Sequence, residues 1–395
     1  MSRLKRSVLI SAIFLMAIVF SGWIGLSQPQ PSVQLTTTPA VSQIRPFEAE
    51  ATNLQSPVQV MLQAMDSAGL PVEDAQIHLQ ILTPPRNPWL PTDFPIVEGT
   101  TLLDMEALAP KGELQFQQML PVRGTYRLLV NVKPIAPAAF VPFQQTLTLS
   151  VAENGVKLQN FAILAVILLT VGLVGGWVIG GKQPIQPGEV SPQRVQLLLS
   201  GAIVVAIATL LFVNINAELA QSHLAMAMSH PTEDVPPLET PAQMQSQGLE
   251  MQLSGDLSAT VGQPATLNVS VMDANTKQPV SNVSLKVAAT QLENNWVAFA
   301  YEGIPDSTGN LTWQQQFFDG APHKIEVEVA PQATSTRQFQ PFQVAQTLSV
   351  QGVAPPLSVR LISLTYMIGL VILGFLLGLG IQHRHKQGAF MRQLN

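Results

Sequence analysis

The stretch F-A-I-L-A-V-I-L-L-T-V-G-L-V-G-G-W-V-I-G-G runs from Phe161 to Gly181, turns through K-Q-P-I-Q-P-G-E-V-S-P-Q-R, and returns as V-Q-L-L-L-S-G-A-I-V-V-A-I-A-T-L-L-F-V from Val195 to Val213. Each apolar run is about 20 residues long, enough to cross a hydrocarbon core of about 30 Å. Proline lacks a backbone N–H and clashes with the preceding helical turn, so the three prolines between the runs stop both helices. The stretch reads as a membrane hairpin, with a polar segment of about 100 residues on each side.

Outward from the hairpin, two more apolar runs occur. Ser7 to Leu26 follows the basic start M-S-R-L-K-R, and its length suits either an uncleaved anchor or a cleaved signal peptide with Gly25 and Ser27 near the cut. Leu361 to Ile381 is the last run, followed by a basic tail. Basic residues gather at Arg3, Lys5 and Arg6, at Lys182 and Arg194, and at Arg384, Lys386 and Arg392. With four spans these three places share one side, and the positive-inside rule makes that side the cytoplasm. Lys157 and Arg360 lie at the opposite boundary. The expected location is the plasma (inner) membrane, multi-pass, with both termini cytoplasmic and the polar segments outside.

The polar segments read as strands. V-Q-V-M-L-Q-A-M-D (Val58–Asp66) and A-Q-I-H-L-Q-I-L (Ala75–Leu82) alternate apolar and polar residues, as do A-T-L-N-V-S-V-M-D, ending at Asp273, and K-I-E-V-E-V. Alternation with turn residues at this spacing predicts β-sandwiches of the immunoglobulin-like kind. The segments also match each other. A-M-D at 64–66 answers V-M-D at 271–273, each followed by a turn and a Pro-Val pair. G-E-L-Q-F-Q-Q from Gly112 answers G-N-L-T-W-Q-Q from Gly309, and P-F-Q-Q-T-L-T-L-S-V from Pro142 answers P-F-Q-V-A-Q-T-L-S-V from Pro341. Three blocks in one order point to a duplicated unit of span, sandwich, span, with both copies running in the same direction.

The fold class expected is therefore all-β extracytoplasmic domains, two immunoglobulin-like β-sandwiches, on α-helical transmembrane segments. The divisions are a helix or signal anchor over 1–27, a linker over 28–47, the first sandwich over 48–156, a helix over 158–181, a cytoplasmic loop over 182–194, and a helix over 195–214. A Met/Pro-rich linker over 215–247, the second sandwich over 248–352, a helix over 358–382 and a basic cytoplasmic tail over 383–395 complete the chain. Phe116 and Trp313 hold matching places two residues after Leu114 and Leu311, so each aromatic shares a face with its leucine and should point inward.

Composition limits function. Only 11% of residues are charged and the net charge is −5, with no basic stripe, which argues against nucleic acid as a partner. Cysteine is absent, so no disulfide, thiolate metal site or cysteine nucleophile exists. No G-x-S-x-G, H-E-x-x-H or phosphate-binding glycine loop occurs, and no carboxylate pair stands out as acid and base. No ionisable side chain lies within the apolar cores, which disfavours a carrier. Glycines four apart, Gly172, Gly176 and Gly180, and Gly374 and Gly378, would let helix backbones approach closely.

The sharpest side-chain cluster is H-L-A-M-A-M-S-H, where His223, Met226, Met228 and His230 offer imidazole and thioether donors suited to copper(I). Met244 and Met251 follow it. His78 and His323 sit in strand patterns, and His323 takes the place of Tyr126 at what reads as an edge or sheet-surface position.

G-E-L-Q-F-Q-Q-M-L-P-V-R-G-T-Y-R-L-L-V-N-V and G-N-L-T-W-Q-Q-Q-F-F-D-G-A-P-H-K-I-E-V-E-V resemble the C-terminal half of YtkA-like and FixH-like domains, small immunoglobulin-like sandwiches held at bacterial membranes. FixH-like proteins are associated with copper delivery to membrane oxidases, so the resemblance implies the sandwich fold and a possible copper role for the His/Met linker. The leading expectation is a non-enzymatic membrane protein without a cofactor. Its partners would be the lipid bilayer and a protein of the envelope or a membrane complex. Copper handling is the alternative.

Overall fold

The computed structural model describes residues 30–48, 55–136, 139–181, 195, 201, 242–332, 335 and 337–393. The first and third apolar runs fall outside the described residues, apart from two isolated positions of the third.

The first half of the chain supplies β1 (Ser32–Thr38), β2 (Val58–Met65), β3 (Ala75–Leu82), β4 (Thr101–Ala109), β5 (Glu113–Gln118), β6 (Gly124–Pro134) and β7 (Phe143–Val151), then α1 (Gly155–Ile179). The second supplies β8 (Ala242–Ser246), β9 (Leu249–Gly255), β10 (Ser258–Thr260), β11 (Pro264–Asp273), β12 (Val283–Gln291), β13 (Val297–Gly303), β14 (Asn310–Gln316), β15 (His323–Pro331) and β16 (Phe342–Gln351), then α2 (Leu357–Gln393). Every second residue of β2 and β3 is buried, as the alternation requires when one sheet face meets a core.

Some boundaries differ from those read in the sequence. The segment 28–47 is not only a linker: it contributes β1, whose Val33 is buried, and Phe47, which enters the core. The end of the Met/Pro-rich segment forms β8 with Met244 on it, and Met251 lies in the core on β9. β1 and β8 are short and mostly polar, so composition gave them no period. The tail from 383 continues α2 as helix to Gln393.

The larger difference concerns the two sandwiches, which are one. The strands form two eight-stranded sheets, β1-β2-β5-β13-β12-β15-β16-β10 and β7-β6-β3-β4-β14-β11-β9-β8. Within the first half, β1-β2-β5 faces β4-β3-β6-β7. The fourth strand thus joins the third, whereas in a constant-type immunoglobulin sandwich it would join the first sheet. This leaves β4 and β5 as open edges on the same side. The second half has the same arrangement, and the halves cover each other's edges. β5 pairs with β13 through Phe116↔Tyr301 and Gln118↔Phe299. β14 pairs with β4 through Trp313↔Met105 and Gln315↔Leu103. β13 is the counterpart of β4 and β14 of β5, so the two seams are the same contact made twice. Buried side chains from both halves form one core.

The matched sequence blocks fall on matching places. Gly112 and Gly309 have φ of +66° and +73°, and a Cβ on either would come within 2.3 or 2.5 Å of a carbonyl, that of Val72 or Val271. Each glycine carbonyl accepts from the strand beside it, from Ala64 N at 2.8 Å and from Val271 N at 2.9 Å. The Pro-Val pairs close equivalent bridges, Met65↔Pro71 and Met272↔Pro279. Gln118 and Gln315 are both buried, and each side-chain amide donates to the carbonyl of the next residue, Met119 at 3.0 Å and Gln316 at 3.1 Å.

The helices continue the correspondence. α1 and α2 are long and apolar enough to cross a membrane, and most of their surface is exposed. They run parallel and touch through glycine. A Cβ on Gly172 would lie 2.1 Å from the Val371 carbonyl oxygen, and one on Gly374 would lie 2.2 Å from that of Leu169. Gly176 stands likewise against Phe375 at 2.0 Å, and Gly378 against Leu173 at 2.2 Å. No larger residue fits this backbone approach, which is how small-residue stripes join helices where burial gives no driving force. At the top of α1, Asn154 accepts from Val156 N at 3.0 Å and donates to Glu48 at 2.9 Å, tying the helix start to the sandwich.

Two outcomes follow. Phe116 and Trp313 are each 1% exposed, while Gln115 and Thr312 face out. Trp313→Ala should cost about 3–5 kcal/mol. Because Trp313 packs on Phe299 with ring centroids 6.3 Å apart and sits at a seam, the whole sandwich should melt earlier as one unit. Thr312→Ala loses a bond to Asn268 at the surface and should cost about 1 kcal/mol or less. Thermal melting of the detergent-solubilised chain reads both, and equal melting temperatures would contradict the seam assignment.

The second outcome concerns the helices. A Cβ on Gly180 would lie 3.1 Å from that of Gln382, close to disulfide spacing. Gly180→Cys with Gln382→Cys should therefore cross-link on oxidation. Adding Gly176→Ile should reduce the yield several-fold, and an unchanged yield would remove the glycine contact.

Candidate functional site

One seam shapes a concave surface. Between β5 and β13 pairing stops at Tyr301, because β5 stays with β2 while β13 follows β12. The sheet parts beyond that point and leaves a cleft of about 740 Å³ across both halves. Phe116 and Tyr301 lie at its root, Gln115 and Gln117 form one wall, and Lys286 and Glu302 the other. Ala300 and Gly303 keep the floor low, and a Cβ at Gly303 would overlap the Tyr301 hydroxyl. Burial pushes the Tyr301 phenol well above its ordinary range, so it is a neutral hydrogen-bonding group. Lys286 stands opposite Glu302 on one side and Glu328 on the other. The cleft offers amide, hydroxyl and both signs of charge around an aromatic root, which suits an extended polypeptide segment more than a small apolar ligand.

Of the residues singled out in the sequence, His78 and His323 lie apart, on β3 and β15. His223, Met226, Met228 and His230 lie outside the described residues. Among the described residues no group of three or more His, Asp or Glu side chains is placed to hold a metal ion. His78 faces outward on β3, where its Nε2 is 2.8 Å from Asp104 on the neighbouring strand and Gln80 donates to the same carboxylate at 3.1 Å.

His323 is not at a sheet surface, nor is Tyr126; both are completely buried. Each lies at or near the start of a strand and turns its polar tip back to the chain just before it. The Tyr126 hydroxyl donates to the Val122 carbonyl at 2.8 Å and accepts from Val122 N at 2.9 Å, the tyrosine corner of immunoglobulin-like sandwiches. His323 Nδ1 is 2.8 Å from the Ala321 carbonyl, which can only accept, so Nδ1 carries the proton. The sequence reading missed this because an outward and an inward polar ring look alike in a strand pattern. The signal available was the turn four residues before Tyr126.

Around His323 stands an aromatic cluster that sequence reasoning did not find. Phe317 lies 4.6 Å from the imidazole and Trp296 5.6 Å. Trp296 stacks on Phe318 at 5.2 Å, and Phe47 from the first half packs 4.7 Å from Trp296. The cluster joins the halves at the end of the sandwich from which the helices leave.

Burial holds the His323 imidazole down to about pH 4, and the Ala321 contact opposes this only in part. The folded protein then binds fewer protons than the unfolded chain between pH about 6.5 and 4, so stability falls as pH drops through that window, by up to about 3 kcal/mol. Asp319 works the other way: burial and Glu293 raise its carboxyl, so the fold gains from its protonation. His323→Phe keeps the ring and removes the titration. The parent should lose more stability than this variant between pH 6.5 and 4 in chemical denaturation, and parallel pH profiles would contradict the burial argument.

No protein-family model and no curated protein matches the chain. Among solved structures, the adhesin InvE of Yersinia pseudotuberculosis aligns at 12% identity and a TM-score of 0.18, over 81% of this chain and 61% of that one. Invasin, a bacterial integrin-binding protein, aligns at 7% identity and a TM-score of 0.19, over 82% of this chain and 40% of that one. The D0-D1 domain of intimin aligns at 11% identity and a TM-score of 0.16, over 81% of this chain and 95% of that one. This chain therefore spans less than two thirds of the first two proteins. Likeness at this level fixes neither an overall fold nor a function.

Proposed function

We propose that the chain is a non-enzymatic, membrane-anchored binding module. It holds a double-width immunoglobulin-like sandwich against the outer face of the membrane and presents the seam cleft to a protein of the envelope or of a membrane complex. The observation that carries this reading is the junction of sheet and helix. The last strand of each half leads within a few residues into an apolar helix, and the two helices pack along their glycines. The sandwich is thus fixed over one patch of bilayer, and its distal cleft points away from it. With the first and third apolar runs added, the chain makes four spans as a tandem repeat of span, sandwich and span, with both termini cytoplasmic.

Two readouts test this in cells. A reporter active only outside the cytoplasm should work when fused after Ser150 or Val350 and fail after Glu189 or Asn395; activity at Glu189 would sink the four-span arrangement. A photo-reactive amino acid at Gln117 in the cleft should give a discrete cross-linked adduct, whereas one at the exposed turn residue Gln278 should not. Correct topology with no adduct from the cleft would discard the binding surface and leave the anchor.

A further inference from the structure

Besides β8 and β10, which have no strand counterpart among the described residues of the first half, one connection differs sharply between the halves. β12 and β13 are joined by residues 292–296, whereas their counterparts β3 and β4 are joined by residues 83–100. The longer connection carries Pro84, Pro85, Pro88, Pro91 and Pro95, and leaves the sandwich at the end where the helices begin. Proline restricts φ and lowers the entropy lost on ordering a loop, so such a segment is stiff before any contact is made.

Its root is fixed in the fold. Phe94 packs 5.2 Å from Phe318 in the aromatic cluster, and Val97 is completely buried. The Thr83 hydroxyl donates to the Val97 carbonyl at 2.6 Å, and Glu98 accepts from Thr92 N at 3.0 Å and from its hydroxyl at 2.6 Å. Its lower part is tied to both helices. Asp93 pairs with Lys157 in the first turn of α1. The Tyr366 hydroxyl on α2 donates to the Trp89 carbonyl at 2.7 Å, and Arg123 donates to the Leu90 carbonyl at 3.0 Å. Asn87 accepts from the backbone N–H of Trp89 and Leu90 at 3.0 and 3.2 Å, so the tip is a closed turn.

That tip presents large apolar side chains to the outside: Trp89 is 69% exposed and Leu90 is 59% exposed. Holding two bulky apolar groups rigidly in water has no stabilising return within the sandwich. The depth of the tip accounts for it. Tyr366 lies nine residues into α2 and five into the apolar run that starts at Leu361. At 1.5 Å per residue its Cα is about 7 Å below the top of that run. Helical side chains lean toward the N-terminus, which brings the hydroxyl, and the Trp89 carbonyl with it, back up to the layer between headgroups and hydrocarbon. Tryptophan prefers that layer because its ring is apolar and its N–H is not. Arg86, three residues earlier, is exposed as well.

We propose that the tip of this loop, Trp89 and Leu90, is seated in the headgroup layer of the leaflet on the sandwich side. The loop then acts as a third contact with lipid beside the two helices. This rests on the membrane-anchored reading above.

Absence of native cysteine makes the test direct. The full chain in phosphatidylcholine nanodiscs would carry one spin label at Leu90→Cys, Ile167→Cys or Val141→Cys, and its access to oxygen and to a water-soluble nickel chelate would be compared. Ile167 is a half-exposed position within α1, and Val141 is 79% exposed at the far end of the sandwich. Leu90 and Ile167 should favour oxygen and Val141 the chelate, with Leu90 the shallower of the two lipid positions. If Leu90 behaves as Val141 does while Ile167 reads lipid, the inference is overturned and the anchor stands. If Ile167 itself reads water, the anchored reading falls and takes the inference with it. Pro88→Cys gives the same reading should Leu90→Cys fail to accumulate.

Discussion

The structure depends on the covering of open strand edges. A half sandwich in which the fourth strand joins the third leaves two adjacent edges with unpaired backbone, and such edges invite association with other chains. Here each half closes the other's pair. Only three residues pair at each seam, yet Phe116 meets Tyr301 and Trp313 meets Met105 there, so large buried side chains stand where the halves join. The matched aromatics therefore belong to the middle of one shared core and not to the centres of two.

The approximate two-fold relation that makes the seams equivalent runs down between the helices. Gly172 stands to Val371 as Gly374 stands to Leu169. Pairing of strands above and of glycines below thus obey one geometry, and neither half of the sandwich can rotate against the other without parting the helices. Junction contacts such as Asn154 with Glu48 carry that rigidity from sheet to helix. Where the strands diverge past Tyr301, the same geometry opens a cleft, because β13 cannot follow both β12 and β5.

Much of this was legible in the sequence. Alternation placed most strands, the repeat placed Phe116 and Trp313 inward, and the glycine spacing marked the faces on which the helices meet. What was not legible is long-range. Whether two sandwiches stand apart or fuse depends on which sheet the fourth strand joins, and no residue of β4 or β13 announces that. β1 and β8 are edge strands of polar residues, held by backbone pairing more than by their side chains, so they read as linker. His323 was placed at the surface because its turn-anchoring contact with Ala321 spans only two residues and leaves no trace in periodicity. The aromatic cluster draws Phe47, Phe94, Trp296 and Phe318 from segments outside any strand, where no period exists to find them.

The single long connection between β3 and β4 has a further consequence. Two identical subunits related by a two-fold axis along the membrane normal look the same from opposite sides, and any neighbour that can dock on one side can dock on the other. Within one chain the two halves need not match, and here one has a feature that the other lacks. With the proline-rich connection on one flank alone, the fused sandwich has a front and a back. Two flanks that the likeness of the halves would otherwise make equivalent therefore differ in shape and in chemistry.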